Sequence, residues 1–488
     1  MRILFVASEG LPFSKTGGLA DVIEALPKAL VSRGHEVAVL LPRYRGTQVK
    51  NIAIKSLTVP MGQGLRFAAI ADGMRPHGVQ YFFVDDPEYF DREQLYGVGG
   101  RDYPDNGERF AEFARSAVEL AKQLWPADVI HCHDWQSALV PVLMRTLYEA
   151  DPVLAPVPVV FTIHNMGYHG LFSRDLLARI GLPESLFRME ALEFFDRLSF
   201  LKGGLVFSDY LTTVSRKYAE EIQTPEYGHG LDGVARSRAN RLVGILNGVD
   251  YSVWNPEVDA LIARKYSARD LTGKQACKKE LLAEFRLPES NLQRPLIGIV
   301  SRFADQKGFD LLAQVMSSVV KEDLMIVALG AGEAKHERMM RELAAQYPEK
   351  IAVKIAYDNT LAHKIEAGAD MFLMPSRYEP CGLNQIYSLR YGPVPVVRAT
   401  GGLDDTIEPY DQGSGQGTGF KFREYTGEAL LGALQGALAA YRSQAVWKRL
   451  QTNGMAKDFS WNASATEYSR LYDLARKSRI RSSVATSK

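Results

Sequence analysis

The sequence has almost no excess charge: 58 Lys and Arg face 57 Asp and Glu, a formal net charge of +1. That balance gives no support to a general electrostatic hold on nucleic acid or an anionic membrane, so small ligands are the better class of partner. Cysteine is scarce as well. Cys132, Cys277 and Cys381 are odd in number and far apart, which excludes a disulfide framework and paired zinc-knuckle spacing and suits a reducing cytoplasm. No apolar run is long enough to span a bilayer. The run 3–7 is too short for a signal-peptide core and meets Glu9 at once, so it reads as a buried strand. Short repeats and low-complexity tracts are missing too.

What is present is globular: 46% hydrophobic and 24% charged residues, over a length of 488 that calls for two or more cores. The first half alternates short apolar runs (2–8, 36–41, 80–84, 128–131, 157–163, 210–214) with amphipathic stretches, as parallel strands joined by crossover helices do. Leu19, Val22, Ile23, Leu26, Ala29 and Leu30 predict a helix that stops near Gly34. The alternation restarts with strands at 296–301, 325–329, 351–355, 371–374 and 394–397. Weak periodicity over 247–274 sets the boundary just after Asn247. The expected division is 1–247, 248–460, and a helical tail 461–488 crossing back to the first domain, its polar end frayed. Two α/β domains of this kind carry their ligand loops at the carboxyl ends of their strands.

The unusual clusters fall at those ends. Lys15-Thr16-Gly17-Gly18 joins the first strand to the first helix, where amides and a positive helix end favour an anion; Glu9 and Asp21 flank it. A glycine turn with a solvated lysine explains the same residues equally well. His131-Cys132-His133-Asp134-Trp135 is dense in ionisable groups, yet strand alternation puts His131 and His133 on one face and Cys132 and Asp134 on the other, which argues against a metal site. Asp134 is then a sugar-hydroxyl acceptor, or part of a polar cluster capping the core. His164-Asn165 follows the next strand and supplies a second polar rim.

In the second half, Arg302 and Lys307 lie five residues apart across a strand-to-helix turn and are placed to clamp a diphosphate, one by a fork and one as a compact charge; ordinary surface charges read the same way. Thr400-Gly401-Gly402-Leu403 offers amide donors at another such turn. Glu379, in Glu379-Pro380-Cys381-Gly382-Leu383, precedes a helix expected to start near Gly382; its carboxylate suits two sugar hydroxyls or the helix dipole.

Together with Asn247-Gly248-Val249-Asp250 and Ser301-Arg302, these motifs resemble the bacterial glycogen synthases and plant starch synthases, a family of retaining GT-B glycosyltransferases, over nearly the whole chain. The resemblance implies two Rossmann-like domains facing across a deep cleft and closing over a nucleotide sugar. It implies ADP-glucose as donor, an α-1,4-glucan acceptor extended at its non-reducing end, and no metal or other cofactor. It assigns the donor phosphates to Arg302 and Lys307 and the glucose hydroxyls to Glu379, and sets His164 against the transferring sugar. Lys15, Gly17, Gly18, Asp21, Asn247, Cys381, Gly382, Leu383 and 400–403 complete the nucleotide-sugar side; Glu9, Asp21, Asp134 and Asn165 form the acceptor side. Many wider GT-B enzymes carry a second glutamate eight residues after the first, where this chain has Tyr387, a departure the glycogen synthases share. The rival readings are a phosphorylase-like or other GT-B transferase and a noncatalytic glucan-binding protein.

Overall fold

The structure is a computed structural model that describes residues 1–62 and 64–486. Met1–Val214, Ala219–Gly248 and the chain from Trp461 onward form one compact unit; Ser215–Tyr218 and Val249–Ser460 form the other. Among the described residues no helix is long and apolar enough to cross a membrane.

The first unit is built on a nine-stranded sheet. Its strands are β1 (Arg2–Val6), β2 (Glu36–Pro42), β3 (Asn51–Met61), β4 (Gly64–Asp72), β5 (Gln80–Asp85), β6 (Val129–His133), β7 (Val159–Ile163), β8 (Tyr210–Thr213) and β9 (Leu242–Gly244). The order is β9-β8-β7-β6-β1-β2-β5-β4-β3. All neighbours from β9 to β5 are parallel, while β3 and β4 add an antiparallel hairpin at one edge. The central strands are buried and mostly apolar because helices cover both faces, with His131 and His133 of β6 as the exceptions beside β1. Helix Leu19–Ser32 turns its Leu19, Val22, Ile23, Leu26 and Leu30 onto Ile3 and Phe5 of β1 and Val37, Val39 and Leu41 of β2. The C-terminal helix Trp461–Thr486 adds Trp461, Tyr468, Leu471 and Tyr472 to the same core. Each aliphatic side chain fully buried this way contributes about 1.5–3 kcal/mol. The helix runs through most of the polar tail expected to fray; residues 487–488 of that tail lie outside the described residues.

The second unit carries six parallel strands, β10 (Leu296–Val300), β11 (Met325–Gly330), β12 (Ile351–Ile355), β13 (Met371–Met374), β14 (Val394–Arg398) and β15 (Phe420–Phe422). Their order, β12-β11-β10-β13-β14-β15, is the doubly wound arrangement with its reversal between β10 and β13. In the first unit the parallel order reverses in the same way between β1 and β6. At each reversal the outgoing loops part in opposite directions and leave a crevice at the carboxyl ends of the two strands.

Three expectations change. The hairpin β3–β4 was not among the expected strands; its solvent-facing positions break the apolar runs that marked the others. The strand expected to end at His131 runs two residues further, so Cys132 and His133 also lie inside β6. The helix expected near Gly382 begins at Asn384, two residues later.

Candidate functional site

In the second unit the crevice between β10 and β13 is lined by the loops that follow those strands. Lys307 Nζ donates to Glu379 Oε2 at 2.5 Å, and Ser376 Oγ donates to the same oxygen at 3.1 Å. Glu379 is buried and Lys307 half-buried. Glu379 Oε1 has no hydrogen-bond partner among the described residues. Arg302 is exposed and donates from Nη2 to Gln306 Oε1 at 2.9 Å, with no carboxylate partner among the described residues. The two loops are tied by the Arg377 amide, which donates to Gln306 O at 2.9 Å, and by Gln306 Nε2, which reaches Tyr378 O at 3.4 Å. The result is a prearranged acceptor and ammonium, with a guanidinium on the same loop as Lys307 that has no carboxylate partner among the described residues.

Thr400–Leu403 departs from its expected role. The Gly402 amide donates to Glu379 O at 3.1 Å and Pro380 O at 3.2 Å, and the Leu403 amide to Thr400 O at 3.0 Å, so neither is open to a phosphate. A Cβ on Gly401 would lie 1.9 Å from Glu379 O, and one on Gly402 1.8 Å from Cys381 O. The two glycines thus let helix Gly401–Thr406 press against the backbone that carries Glu379. Cys381 is buried there, its carbonyl accepting from Gln385 Nε2 at 3.0 Å, and Gly382 takes φ 70° before Leu383 leads into the helix. Asp405 carries no sequence signal, yet it accepts the amides of Arg216 at 2.5 Å and Lys217 at 3.0 Å, while Ser215 Oγ donates to Pro380 O at 2.5 Å. Tyr387 stacks on Trp254 at 3.9 Å, and Trp254 stacks in turn on His363 at 3.7 Å. Where wider relatives carry a second carboxylate, this chain has a ring stack.

In the first unit the turn after β1 already holds an anion. The buried Glu9 carboxylate accepts the Thr16 amide through Oε2, the Thr16 hydroxyl at 3.0 Å and the Gly17 amide at 3.4 Å. Burial raises its pKa against those donors. Lys15 is likewise engaged, its Nζ 2.7 Å from Asp21 Oδ1 in a pair that is more than one-third exposed on each side. Neither charge is therefore free in the way the motif suggested. A Cβ on Gly18 would meet nothing within 4 Å, and one on Gly17 only Glu9 Oε1 at 4.0 Å, so packing does not demand glycine at either position. Close approach of a ligand to the backbone would.

His131 and His133 in β6, with His164 after β7, form two hydrogen-bonded sets. Tyr472 OH lies 2.8 Å from His131 Nδ1, His131 Nε2 2.6 Å from Thr162 Oγ1, and His133 Nδ1 3.0 Å from His164 Nε2. The rings of His131 and His133 sit 4.1 Å apart on one face, as alternation requires. Desolvation pushes His131 and His133 well below their ordinary range and His164 to about 3, so all three are neutral. Asp134 takes left-handed backbone at φ 55°. Its carboxylate accepts the His164 amide at 2.8 Å and bonds the Asn165 amide, while burial lifts its pKa to about 7. Asn165 Oδ1 closes a turn by accepting from Gly167 N at 2.9 Å. Asn247 is buried in this unit, its Oδ1 without a hydrogen-bond partner among the described residues.

None of these histidines belongs to a metal-ligand cluster among the described residues. The group with ligand atoms within 4.8 Å of one another is Asp305, Glu333 and His336, in the second unit. Lys335 Nζ already sits 2.5 Å from Asp305 Oδ2, and an incoming cation would have to displace it.

Comparison with known proteins places this geometry. Residues 2–237 match the model of the starch synthase catalytic domain, and residues 283–450 that of glycosyl transferases group 1. A glycogen synthase of Koribacter versatilis is 56% identical over 98% of this chain and 99% of its own. One from Anaeromyxobacter dehalogenans is 49% identical over 97% and 98%. Among solved structures, the catalytic domain of starch synthase IV from Arabidopsis thaliana, bound to ADP and acarbose, superposes with a TM-score of 0.86 at 34% identity, covering 97% of this chain and 99% of that one.

Proposed function

Because the chain belongs to the glycogen and starch synthase family of GT-B glycosyltransferases, we propose that it transfers glucose, with retention, from ADP-glucose to the non-reducing end of an α-1,4-glucan. The observation that carries this reading is the set Lys307, Glu379, Ser376 and Arg302 at the strand-order reversal of the second unit. A nucleoside diphosphate sugar presents what that set lacks: phosphate oxygens for Arg302 and Lys307, and hydroxyl donors for the open Oε1 of Glu379. In binding, the ammonium exchanges part of its hold on Glu379 for phosphate, and the carboxylate takes sugar hydroxyls in return.

In the reaction the bond from the sugar C1 to the phosphate oxygen breaks and a bond from C1 to the acceptor O4 forms. The acceptor proton passes to the departing phosphate oxygen, releasing the nucleoside diphosphate. Arg302 and Lys307 stabilise the charge that grows on that group, and a preorganised contact of this kind commonly supplies about 10²–10³ in rate. Front-face attack fits the carboxylates. Glu379 Oε2 is held by Lys307 and Ser376 and its Oε1 is given to sugar hydroxyls, while Asp134 is held by two amides, so neither carboxylate is assigned as a nucleophile. The neutral His164 beside Asp134 suits a sugar better than a cation would. We place Asp134 and Asn165 on the acceptor side, and ascribe the cationic work to Arg302 and Lys307 without a metal or other cofactor. Three buried free thiols suit the reducing cytoplasm.

The test is the purified protein with ADP-glucose or UDP-glucose, with and without glycogen, reading nucleoside diphosphate. Glycogen-dependent release, faster from ADP-glucose, is expected. Release of glucose 1-phosphate that requires inorganic phosphate would replace this reading with a phosphorylase.

A further inference from the structure

At the amino ends of β8 and β9 the first unit has a concavity of about 350 Å³, walled by polar and charged side chains alone: Arg238, Arg241, Arg479, Asp209, Asn240 and two serines. Asp134 and His164 follow the opposite, carboxyl ends of β6 and β7, a strand length of about 15 Å away. Three segments build the hollow. Ser208 and Asp209 lead into β8, Arg238 to Arg241 lead into β9, and Ser478 and Arg479 come from the C-terminal helix Trp461–Thr486.

The charges there do not balance. Asp209 is the one carboxylate of the wall, and its Oδ2 already accepts Arg145 Nη2 at 2.6 Å and the Val159 amide at 2.7 Å. Arg479 Nη1 stays 3.7 Å from Asp209 Oδ1, while its Nε donates to Ala155 O at 2.9 Å. Arg238 gives Nη1 to Val206 O and Nη2 to Ser208 O, at 2.8 and 2.5 Å. Arg241 lies over the Tyr210 ring at 4.8 Å and donates from Nη1 to Ser478 Oγ at 3.0 Å, with no carboxylate partner among the described residues. Carbonyls and hydroxyls satisfy N–H groups without cancelling charge, so four guanidiniums gather round one carboxylate. Burial lowers the pKa of Arg238, Asp209 raises it in part, and Arg241 lowers it again; burial and then Arg145 lower that of Arg479 against Asp209 and Glu149. Guanidiniums stay charged all the same, so the crowding persists as repulsion. Capping of loop carbonyls explains the single bonds but not the open hollow, where Arg241 and Arg479 each keep an Nη2 with no hydrogen-bond partner among the described residues.

A phosphate group presents what this set lacks, negative charge and oxygens spaced for guanidinium forks. We propose that the concavity binds a small phosphate-bearing anion, gripped by Arg241 and Arg479, which fastens the C-terminal helix to the strand ends beside it. Its size favours a phosphate ester over the bare ion, because small-molecule pockets start at about 300 Å³. Asn240 and the serines supply polar partners for the hydroxyls of such an ester. Arg302 and Lys307 take no part, and the site stands whatever sugar the chain transfers.

The full-length protein is titrated with ribose 5-phosphate, ribose and inorganic phosphate at constant ionic strength, with saturating ADP present so that Arg302 and Lys307 are already engaged. Titration calorimetry should give a dissociation constant of about 1 mM or lower for ribose 5-phosphate, the scale of two or three charge-assisted hydrogen bonds, and no binding of ribose. A tenfold excess over that constant should raise the melting transition of the first unit by about 3–6 °C. Arg241→Gln keeps a donor for Ser478 and Arg479→Gln one for Ala155, each without the charge. Either should weaken ribose 5-phosphate at least about tenfold, yet leave glucosyl transfer in its absence unchanged. Arg241→Lys, which keeps the charge and loses the fork, should fall between. Hydrogen exchange of the parent gives a reading that needs no variant: ribose 5-phosphate should slow the amides of 236–242 and of the C-terminal helix. Inorganic phosphate binding as tightly as the ester would support the site with the free ion as its occupant. No binding by the parent, equal affinity in both glutamine variants, or protection confined to the second unit overturns the proposal.

Discussion

Replacing Lys307 with methionine keeps the length of the side chain and removes its charge, leaving the Glu379 carboxylate buried with only the Ser376 hydroxyl on Oε2. Stripping one partner from a buried ion pair costs about 3–5 kcal/mol. The Lys307 side chain is 20% exposed and that of Glu379 8%, so water reclaims part of the loss and about 2–3 kcal/mol is the better expectation. In a unit of this size that lowers the melting temperature by roughly 4–10 °C. Glu379→Gln leaves the ammonium a neutral partner and costs less. The double variant removes both charges, so most of the stability returns and the cycle shows a coupling of about 1–2 kcal/mol. Activity behaves differently. Each single variant loses about 10²–10³ in kcat through its own contact with the donor, and the double variant recovers none of it. Differential scanning calorimetry read on the transition of the second unit, alongside donor turnover, checks both halves. Additive stabilities would show that the pair is not coupled in solution. Activity recovering together with stability would show that the pair is a structural strut and not part of the site.

Arg302→Ala should cost about 10²–10³ in kcat with a stability change within about 0.5 kcal/mol, because its side chain is exposed and among the described residues bonds Gln306 alone; calorimetry and turnover together check this. Asp134 has a folded pKa of about 7 against an ordinary 3.8, so its acid form is favoured in the fold and its contribution to stability is lost as pH rises between those values. If its ionised form accepts the sugar hydroxyl, kcat/KM falls on the acid side with a midpoint near that pKa, and Asp134→Asn, slower throughout, flattens the limb; an unchanged limb contradicts the assignment. Activity should survive EDTA, since Arg302 and Lys307 carry the cationic role; full loss with EDTA, restored by one divalent ion, contradicts it.

Much of the fold was legible because parallel strands buried on both faces are plain apolar runs, and every expected run became a strand of one of the two sheets. The hairpin β3–β4 escaped because a half-exposed edge alternates and carries no such run. For the site, sequence could name Arg302, Lys307 and Glu379 from strand ends, but not that Lys307 and Glu379 bond each other, since 72 residues separate them. Motif chemistry also overstated the open donors. The amides near Gly17 and those of Gly402 and Leu403 look alike in sequence, yet the first serve Glu9 and the second serve backbone carbonyls. Asp405 and Ser215 gave no signal, because each works by capping a distant loop.

Transfer of a glucosyl group, with its anomeric configuration kept, onto a glucan end is what separates this enzyme from a phosphorylase or a binding protein. Proton and carbon NMR of the products from ADP-glucose labelled at C1 and maltotriose tests it most directly. Label is expected in a new α-1,4 linkage at the non-reducing end, with one nucleoside diphosphate released for each linkage formed. A β linkage, label released as free glucose, or no incorporation by a folded protein would contradict it.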